Sequence, residues 1–269
     1  RAYEGPSVTW AGGSGMRAYV MTLFPEMVES TLHTSITGRA MDEGLLELHC
    51  VNIRDFSQDK HKRVDDYPFG GGAGMVIEAQ PVYDCYRHIR EEIGHDCPVI
   101  ALSPKGRTFT QPIAKELAVN EDLIFLCGHY EGIDQRVLDA IVTDYISIGD
   151  YVLTGGELAA CVVIDCVSRL IPGVLGNDDS ASAESFENDL LEYPQYTRPE
   201  EWNGRKVPEI LLSGNHRLVD EWRLEQSISR TRESRPDMLE RALPGLLRSL
   251  SNRLRRKLLK PEENCDKIS

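Results

Sequence analysis

Short unbroken apolar runs alternate along this chain with segments whose apolar residues recur at helical spacing. Ala18 to Leu23, Leu45 to Ile53, Pro98 to Leu102, Asp122 to Cys127 and Asp144 to Ile148 are the short runs. Their length and β-branched or aromatic content predict buried strands. Between them Glu26 to Met41, Pro81 to Ile93, Gln111 to Leu117, Gln135 to Ala140 and Glu157 to Leu170 predict helices, with Pro81 suited to a first turn. Strands alternating with helices predict an α/β layer fold with a largely parallel sheet. Residues 54–75 read as a polar loop. The character changes near Pro172: residues 175–200 lack periodicity and are rich in Ser, Asn, Asp and Glu, which reads as a mobile linker. From Val207 the segments again look helical.

This pattern predicts an α/β domain over residues 16–174, a flexible linker over 175–184, a small all-helical domain over 185–260 and a disordered tail over 261–269. Residues 1–15 are Gly/Ser-rich and aperiodic. They read as a non-native or misassigned extension and lack a signal-peptide layout. No apolar run approaches the roughly 18–20 residues that span a bilayer, so no membrane partner is expected. The seven cysteines are scattered, with no CxxC pair and no zinc spacing. That argues for small buried thiols and a cytoplasmic location rather than a disulfide framework.

A formal net charge of −13 over 269 residues speaks against a surface that binds nucleic acid everywhere. It leaves room for a local basic patch. Basic residues do gather late, from Arg223 and Arg230 through Arg241 and Arg248 to Lys260. Charge alone does not separate an RNA-binding face from a solvated helix.

The chemistry concentrates in glycine loops. In Ser147-Ile148-Gly149-Asp150-Tyr151-Val152-Leu153-Thr154-Gly155-Gly156-Glu157-Leu158, two glycine turns bracket a short apolar stretch that feeds a helix. Glycine permits close backbone approach and positive φ. Leu126-Cys127-Gly128-His129-Tyr130-Glu131-Gly132 forms a second such loop. Both follow strands, where open α/β sheets bind ligands. Phe69-Gly70-Gly71-Gly72-Ala73-Gly74-Met75 is not a phosphate loop, because no Gly-Lys-Ser/Thr follows; a flexible turn is its simplest reading. The histidines show no ligand spacing and Asp65-Asp66 is an ordinary solvated pair, so no protein-built metal site is assigned. A nucleophile elbow is also missing.

Taken together these loops resemble those of the bacterial tRNA (guanine-N1)-methyltransferases, the TrmD family of the knotted SPOUT superfamily. The likeness runs from Met16 to about Lys260. It is carried by Thr22-Leu23-Phe24-Pro25, Asp65 to Met75, Cys127 to Gly132, Ser147 to Leu158, Ile171-Pro172-Gly173-Val174-Leu175-Gly176, Tyr196-Thr197-Arg198-Pro199 and Pro208 to Gly214. The resemblance implies a trefoil knot in the C-terminal part of the α/β domain, a feature no pattern argument would propose. It implies a homodimer whose active site lies at the subunit interface. It also implies transfer of a methyl group from S-adenosylmethionine to N1 of the guanine at tRNA position 37, 3′ of the anticodon, with the helical domain gripping the tRNA. Whether a divalent ion such as Mg2+ assists is left open.

Carried over by position, the cofactor pocket comprises Leu102, Ser103 and Pro104; Gly128, Tyr130, Glu131 and Gly132; and Ser147, Ile148, Gly149, Tyr151, Leu153, Gly155 and Gly156. A Cβ at these glycines is expected to meet the ligand. Core packing is the alternative for Tyr130 and Tyr151. The catalytic pair implied is Glu184 as base for the N1 proton and Arg169 as the cation facing O6. Two departures stand out. Glu184-Ser185-Phe186 occupies the place of an Asp-Ser-Phe triplet, and Ala159 stands where many members carry Pro. A different class of reading is a non-catalytic RNA- or nucleotide-binding module. A knotted methyltransferase with another RNA target is a third.

Overall fold

A computed structural model describes residues 15–176, 185–186 and 189–249. Glu184, the extension up to residue 14 and the tail after residue 260 lie outside the described residues. The chain divides into two compact units, Arg1–Asp178 and Asp179–Ser269.

The first unit is built on five parallel strands. β1 (Met16–Thr22) pairs with β2 (Leu46–Asn52) on one side and β6 (Asp122–Leu126) on the other. β5 (Val99–Thr108) joins β6 to β7 (Asp144–Ser147), giving the order β2-β1-β6-β5-β7. Two short strands, β3 (Asp65–Asp66) and β4 (Val76–Ile77), pair with each other. The central strands are apolar through Ala18–Met21 and Leu123–Leu126 because both faces are covered. From β1, Met16, Ala18 and Val20 enter one core and Tyr19 and Met21 the other. β6 divides its residues in the same way, with Leu123 and Phe125 on the first face and Ile124 and Leu126 on the second. Helices α1 (Pro25–Leu32), α2 (Ser35–Asp42), α4 (Gln111–Ala118) and α6 (Glu157–Ser168) cover the first face; α3 (Ala79–Ile93) and α5 (Gln135–Ile141) cover the second. Each fully buried Phe, Ile or Leu contributes about 1.5–3 kcal/mol.

Three elements of the first unit differ from the sequence expectation. The helix expected over Glu26 to Met41 is two helices. Between them the hydroxyls of Thr31, Thr34 and Thr37 bond to backbone carbonyls of Met27, Thr31 and Leu32, competing with the helical ladder. Strand β5 continues past Leu102. It breaks register across Ser103–Gly106 and resumes pairing with β7 at Arg107 and Thr108. Gly106 is required there, since a Cβ would lie 2.4 Å from the Tyr145 carbonyl carbon. The polar loop over 54–75 contains a short 3-10 turn, Ile53–Phe56, and β3.

The second unit is not all-helical as expected: it contains a hairpin of β8 (Glu201–Trp202) and β9 (Arg205–Lys206), because Asn203 and Gly204, both at positive φ, turn the chain there. Helices α7 (Glu209–Leu212), α8 (His216–Ser234) and α9 (Pro236–Ser249) follow. Asn215 caps α8 through its Oδ1, which accepts the Leu218 N–H at 3.3 Å. Leu190 lies in the stretch that reads as linker, yet it is buried against Ile228, Leu239, Ala242 and Leu246. The neighbouring Leu191 N–H donates to Thr231 Oγ1 at 2.8 Å. One isolated apolar anchor leaves no periodic trace in the sequence.

Burial pushes the Cys50 thiol up to about 12, and raises Cys85 and Cys127 further. Because the thiolate is the reactive form, these three should stay unalkylated by iodoacetamide at pH 8 in the folded protein and react on unfolding. Peptide mass spectrometry checks this; rapid native labelling of Cys127 would contradict the packing described.

Candidate active site

Since β5, β6 and β7 run parallel, their C-terminal ends open on one edge of the sheet. The bulge within β5 and the loops leaving β6 and β7 enclose an open cleft of about 330 Å³. Its size and mixed lining suit a small ligand. Every residue assigned above to a cofactor pocket lines this cleft: Leu102 to Pro104 from β5, Gly128 and Tyr130 to Gly132 after β6, and Ser147 to Gly149, Tyr151, Leu153, Gly155 and Gly156 after β7. His129, Ile146, Val152, Thr154 and Ala159 complete the lining.

The loop after β7 is held by its own polar groups. Ser147 Oγ donates to the Gly149 carbonyl at 3.1 Å and accepts the Gly149 N–H at 3.2 Å. The Tyr151 hydroxyl donates to the Ile148 carbonyl at 3.1 Å. The loop after β6 is tied to the glycine-rich segment before β4. The Glu131 N–H donates to the Met75 carbonyl at 3.0 Å, and the Ile77 N–H to the Gly132 carbonyl at 2.9 Å. The run Phe69 to Met75 thus ends beside the cleft: a Cβ on Gly74, at φ +88°, would meet the Glu131 side chain at 2.5 Å. Tyr130 sits at φ +58°, and its hydroxyl accepts from Arg54 Nη2 at 3.2 Å. Tyr130 is 47% and Tyr151 55% exposed, so neither ring is a core residue.

The glycines divide into two kinds. At Gly149 a Cβ would fall 2.5 Å from the Tyr151 ring, at Gly155 2.2 Å from His129 Nε2, and at Gly156 2.8 Å from the Cys127 Cα. The protein itself excludes side chains there. At Gly132 a Cβ meets no protein atom within 4 Å, and at Gly128 only Ile133 at 3.8 Å. Side-chain-free backbone at these two points borders a space that a ligand can use.

The cleft residues fit S-adenosylmethionine. Leu102, Ile148 and Leu153 offer apolar faces to a purine, the loop backbones offer hydrogen-bonding groups to its edge, and Glu131 offers a carboxylate to a cationic group. Arg169 is not in the cleft. It is the C-cap of α6, twelve residues beyond Glu157 and therefore about 18 Å along the helix. Among the described residues, His95, Glu121 and Asp122 bring potential metal-ligating atoms within 4.8 Å of one another. They lie at the start of β6, away from the cleft, and Arg17 already pairs with Asp122 at 2.7 Å.

His129, which lines the cleft, and Glu157, buried against it, are two side chains to which the sequence assigns no role. Glu157 is 1% exposed, and its Oε2 lies 2.7 Å from His129 Nε2. The two are separated by 28 positions, so no local spacing signals the contact.

In the second unit, several of the late arginines are engaged. Arg235 and Arg241 pair with Asp237, Arg230 donates to the Glu192 carbonyl, and Arg223 lies 5.0 Å from the Tyr193 ring centre. Among the described residues no helix is long and apolar enough to cross a membrane.

Residues 16–241 match the family model described as tRNA (Guanine-1)-methyltransferase TrmD. A tRNA (guanine-N(1)-)-methyltransferase of Lachnospira eligens is 59% identical over 225 residues, covering 84% of this chain and 95% of the relative. One of Clostridioides difficile (strain 630) is 58% identical over 228 residues, covering 84% and 99%. One of Alkaliphilus metalliredigens is 58% identical over 227 residues, covering 84% and 92%. With the family model spanning most of the chain and relatives this similar over nearly their whole length, the chain belongs to the tRNA (guanine-1)-methyltransferase family.

Proposed function

We propose that this protein is a tRNA methyltransferase that moves a methyl group from S-adenosylmethionine to N1 of the guanine at position 37, 3′ of the anticodon. The observation that carries this reading is the convergence of the two glycine loops after β6 and β7 and the bulge of β5 on one cleft at the carboxyl edge of the sheet. The activity named for the relatives supports the reaction class.

The cofactor, when bound, supplies a methyl group on a sulfonium, a good electrophile. The chain's own residues do the rest. Leu102, Ile148 and Leu153 hold the adenine between apolar surfaces. The Glu184 carboxylate would take the N1 proton, which frees the N1 electron pair to accept the methyl group. The Arg169 guanidinium faces O6, where negative charge grows. N1 is on the Watson–Crick edge, so the target must be unpaired, as an anticodon-loop base is.

A trefoil knot, a homodimer and a shared active site are part of the proposal. Two features support the dimer. Arg169 is too far along α6 to serve the cleft at the other end of its own helix, which a second copy would remedy. Leu158 and Val162, one turn apart on α6, are 48% and 49% exposed, an apolar stripe suited to a partner helix. Residues 185–260 are assigned to tRNA binding, with Trp202, 64% exposed, and the late arginines as contacts. Action in the cytoplasm agrees with the free cysteines at 50, 85, 97, 127, 161 and 166.

The test is transfer of labelled methyl from S-adenosylmethionine to two unmodified tRNA transcripts that differ only in G or A at position 37. Label in the G transcript alone is expected. Label in both would move the target to another nucleotide. Label in neither, with cofactor bound, would favour a non-catalytic binding module.

A further inference from the structure

Glu157 is a carboxylate withdrawn from solvent at the first residue of α6. A buried carboxylate is tolerated only when both oxygens are well partnered. Here Oε1 accepts from the Thr22 hydroxyl at 2.6 Å, and Oε2 faces His129 Nε2 at 2.7 Å. The positive end of the α6 dipole adds to this. Thr22 is fully buried at the end of β1, and its Oγ1 accepts the Phe24 N–H at 2.9 Å. The Phe24 ring packs on the His129 ring at 4.8 Å, which closes the circuit. The hydrogen bonds run in a defined direction. Thr22 has one proton and gives it to Glu157, so an ionised Glu157 accepts on both sides and requires the proton of His129 to sit on Nε2.

We propose that Thr22, Glu157 and His129 form a relay, buried at Thr22 and Glu157, that fixes the His129 ring in the wall of the cleft and thereby sets the affinity for the methyl donor. The inference rests on reading the cleft as the S-adenosylmethionine site. The relay ties two segments that line the cleft, the Cys127–Gly132 loop and the start of α6, to the end of β1 behind them. It has no slack, because Gly155 lies so close over it that a Cβ would stand 2.2 Å from His129 Nε2 and 2.5 Å from Glu157 Oε2. The Gly156 N–H also donates to the Gly128 carbonyl at 3.0 Å, so a turn of the ring would displace both ligand loops. Thr22 does not line the cleft. It can influence a ligand only through Glu157 and His129, which makes it a positioning residue and not a catalytic one.

Thr22→Val keeps the side-chain shape and removes the hydroxyl, leaving Glu157 Oε1 buried without its donor. Titration calorimetry with S-adenosylhomocysteine should show affinity falling by about tenfold or more. The KM for S-adenosylmethionine should rise in step, while the KM for tRNA stays within about twofold, and Thr22→Ser should restore binding. Nitrogen-15 NMR of the imidazoles should place the His129 proton on Nε2 in the wild type and show that signal shifted or lost in Thr22→Val. If Thr22→Val does not fold, Glu157→Gln serves instead. Its amide turns a donor toward Nε2, forces the proton to Nδ1, and should weaken binding in the same way. A variant that is folded, binds S-adenosylhomocysteine like the wild type and leaves the His129 signal unchanged overturns the relay. Failure of the wild type to bind either nucleoside would instead overturn the reading of the cleft, and the His129 signal would still report whether Thr22 fixes the ring.

Discussion

Glu184→Ala is expected to slow methyl transfer by about 10²–10⁴-fold, the usual worth of a general base, while affinity for S-adenosylmethionine stays within about twofold. Guanine N1 carries a proton at neutral pH and has no free in-plane electron pair until that proton leaves. An enzyme acting there needs a group to accept it, and Glu184 is the residue proposed to do so. Single-turnover transfer to a G37 transcript separates this chemical step from product release, and calorimetry reports cofactor affinity independently. Glu184→Asp is the informative companion. It keeps the carboxylate, draws it back by one methylene and restores the residue expected in this triplet, so it should recover most of the rate. Wild-type single-turnover rates in Glu184→Ala would remove Glu184 from the role of base. Loss of cofactor affinity in the same variant would reassign it to binding.

The parts of this molecule that were legible in its sequence share one property: their signal is local. The strands at Ala18 to Leu23 and Asp122 to Cys127 could be read because a strand buried on both faces is apolar along most of its length, as in Ala18–Met21 and Leu123–Cys127. The cleft loops could be read because glycine and short polar residues cluster there, and their order along the chain matches one family. What could not be read depends on contacts between distant positions. The second half of β5 is disguised by Ser103, Pro104 and Gly106, which look like a turn and do form a bulge. Only pairing of Arg107 and Thr108 with β7 makes the segment a strand again. The break between α1 and α2 falls in a run of Thr and Ser whose hydroxyls take backbone carbonyls, a competition that apolar periodicity does not register. His129 and Glu157 looked isolated because their contact is made by the parallel topology, which brings the end of β6 against the start of α6. Arg169 could be placed at the end of a helix from sequence. Its distance from the cleft follows only from the helix being continuous.

Gly155→Val should both destabilise the fold and abolish measurable cofactor binding, whereas Gly128→Ala should leave stability nearly unchanged. From sequence alone, glycine in these loops makes room for a ligand, which predicts loss of binding alone at Gly155. The geometry changes that expectation. The first carbon of a side chain at Gly155 would enter the space of the His129 imidazole and the Glu157 carboxylate, and two further methyl groups aggravate the collision. Neither neighbour can yield cheaply, because each is the other's partner in a buried polar contact. Separating them leaves a carboxylate in the core with one donor. Overpacking and a broken buried pair together are worth about 2–5 kcal/mol, a large share of the stability of a domain this size. At Gly128 the only nearby protein atoms are those of Ile133, at ordinary contact distance, so an Ala there disturbs the ligand space and not the fold. Thermal unfolding and S-adenosylhomocysteine titration on the two variants separate the cases. A Gly155→Val protein with the melting temperature and affinity of the wild type would mean that His129 and Glu157 are not held as described, and the loop from Ser147 to Gly156 would lose its place as a wall of the cleft.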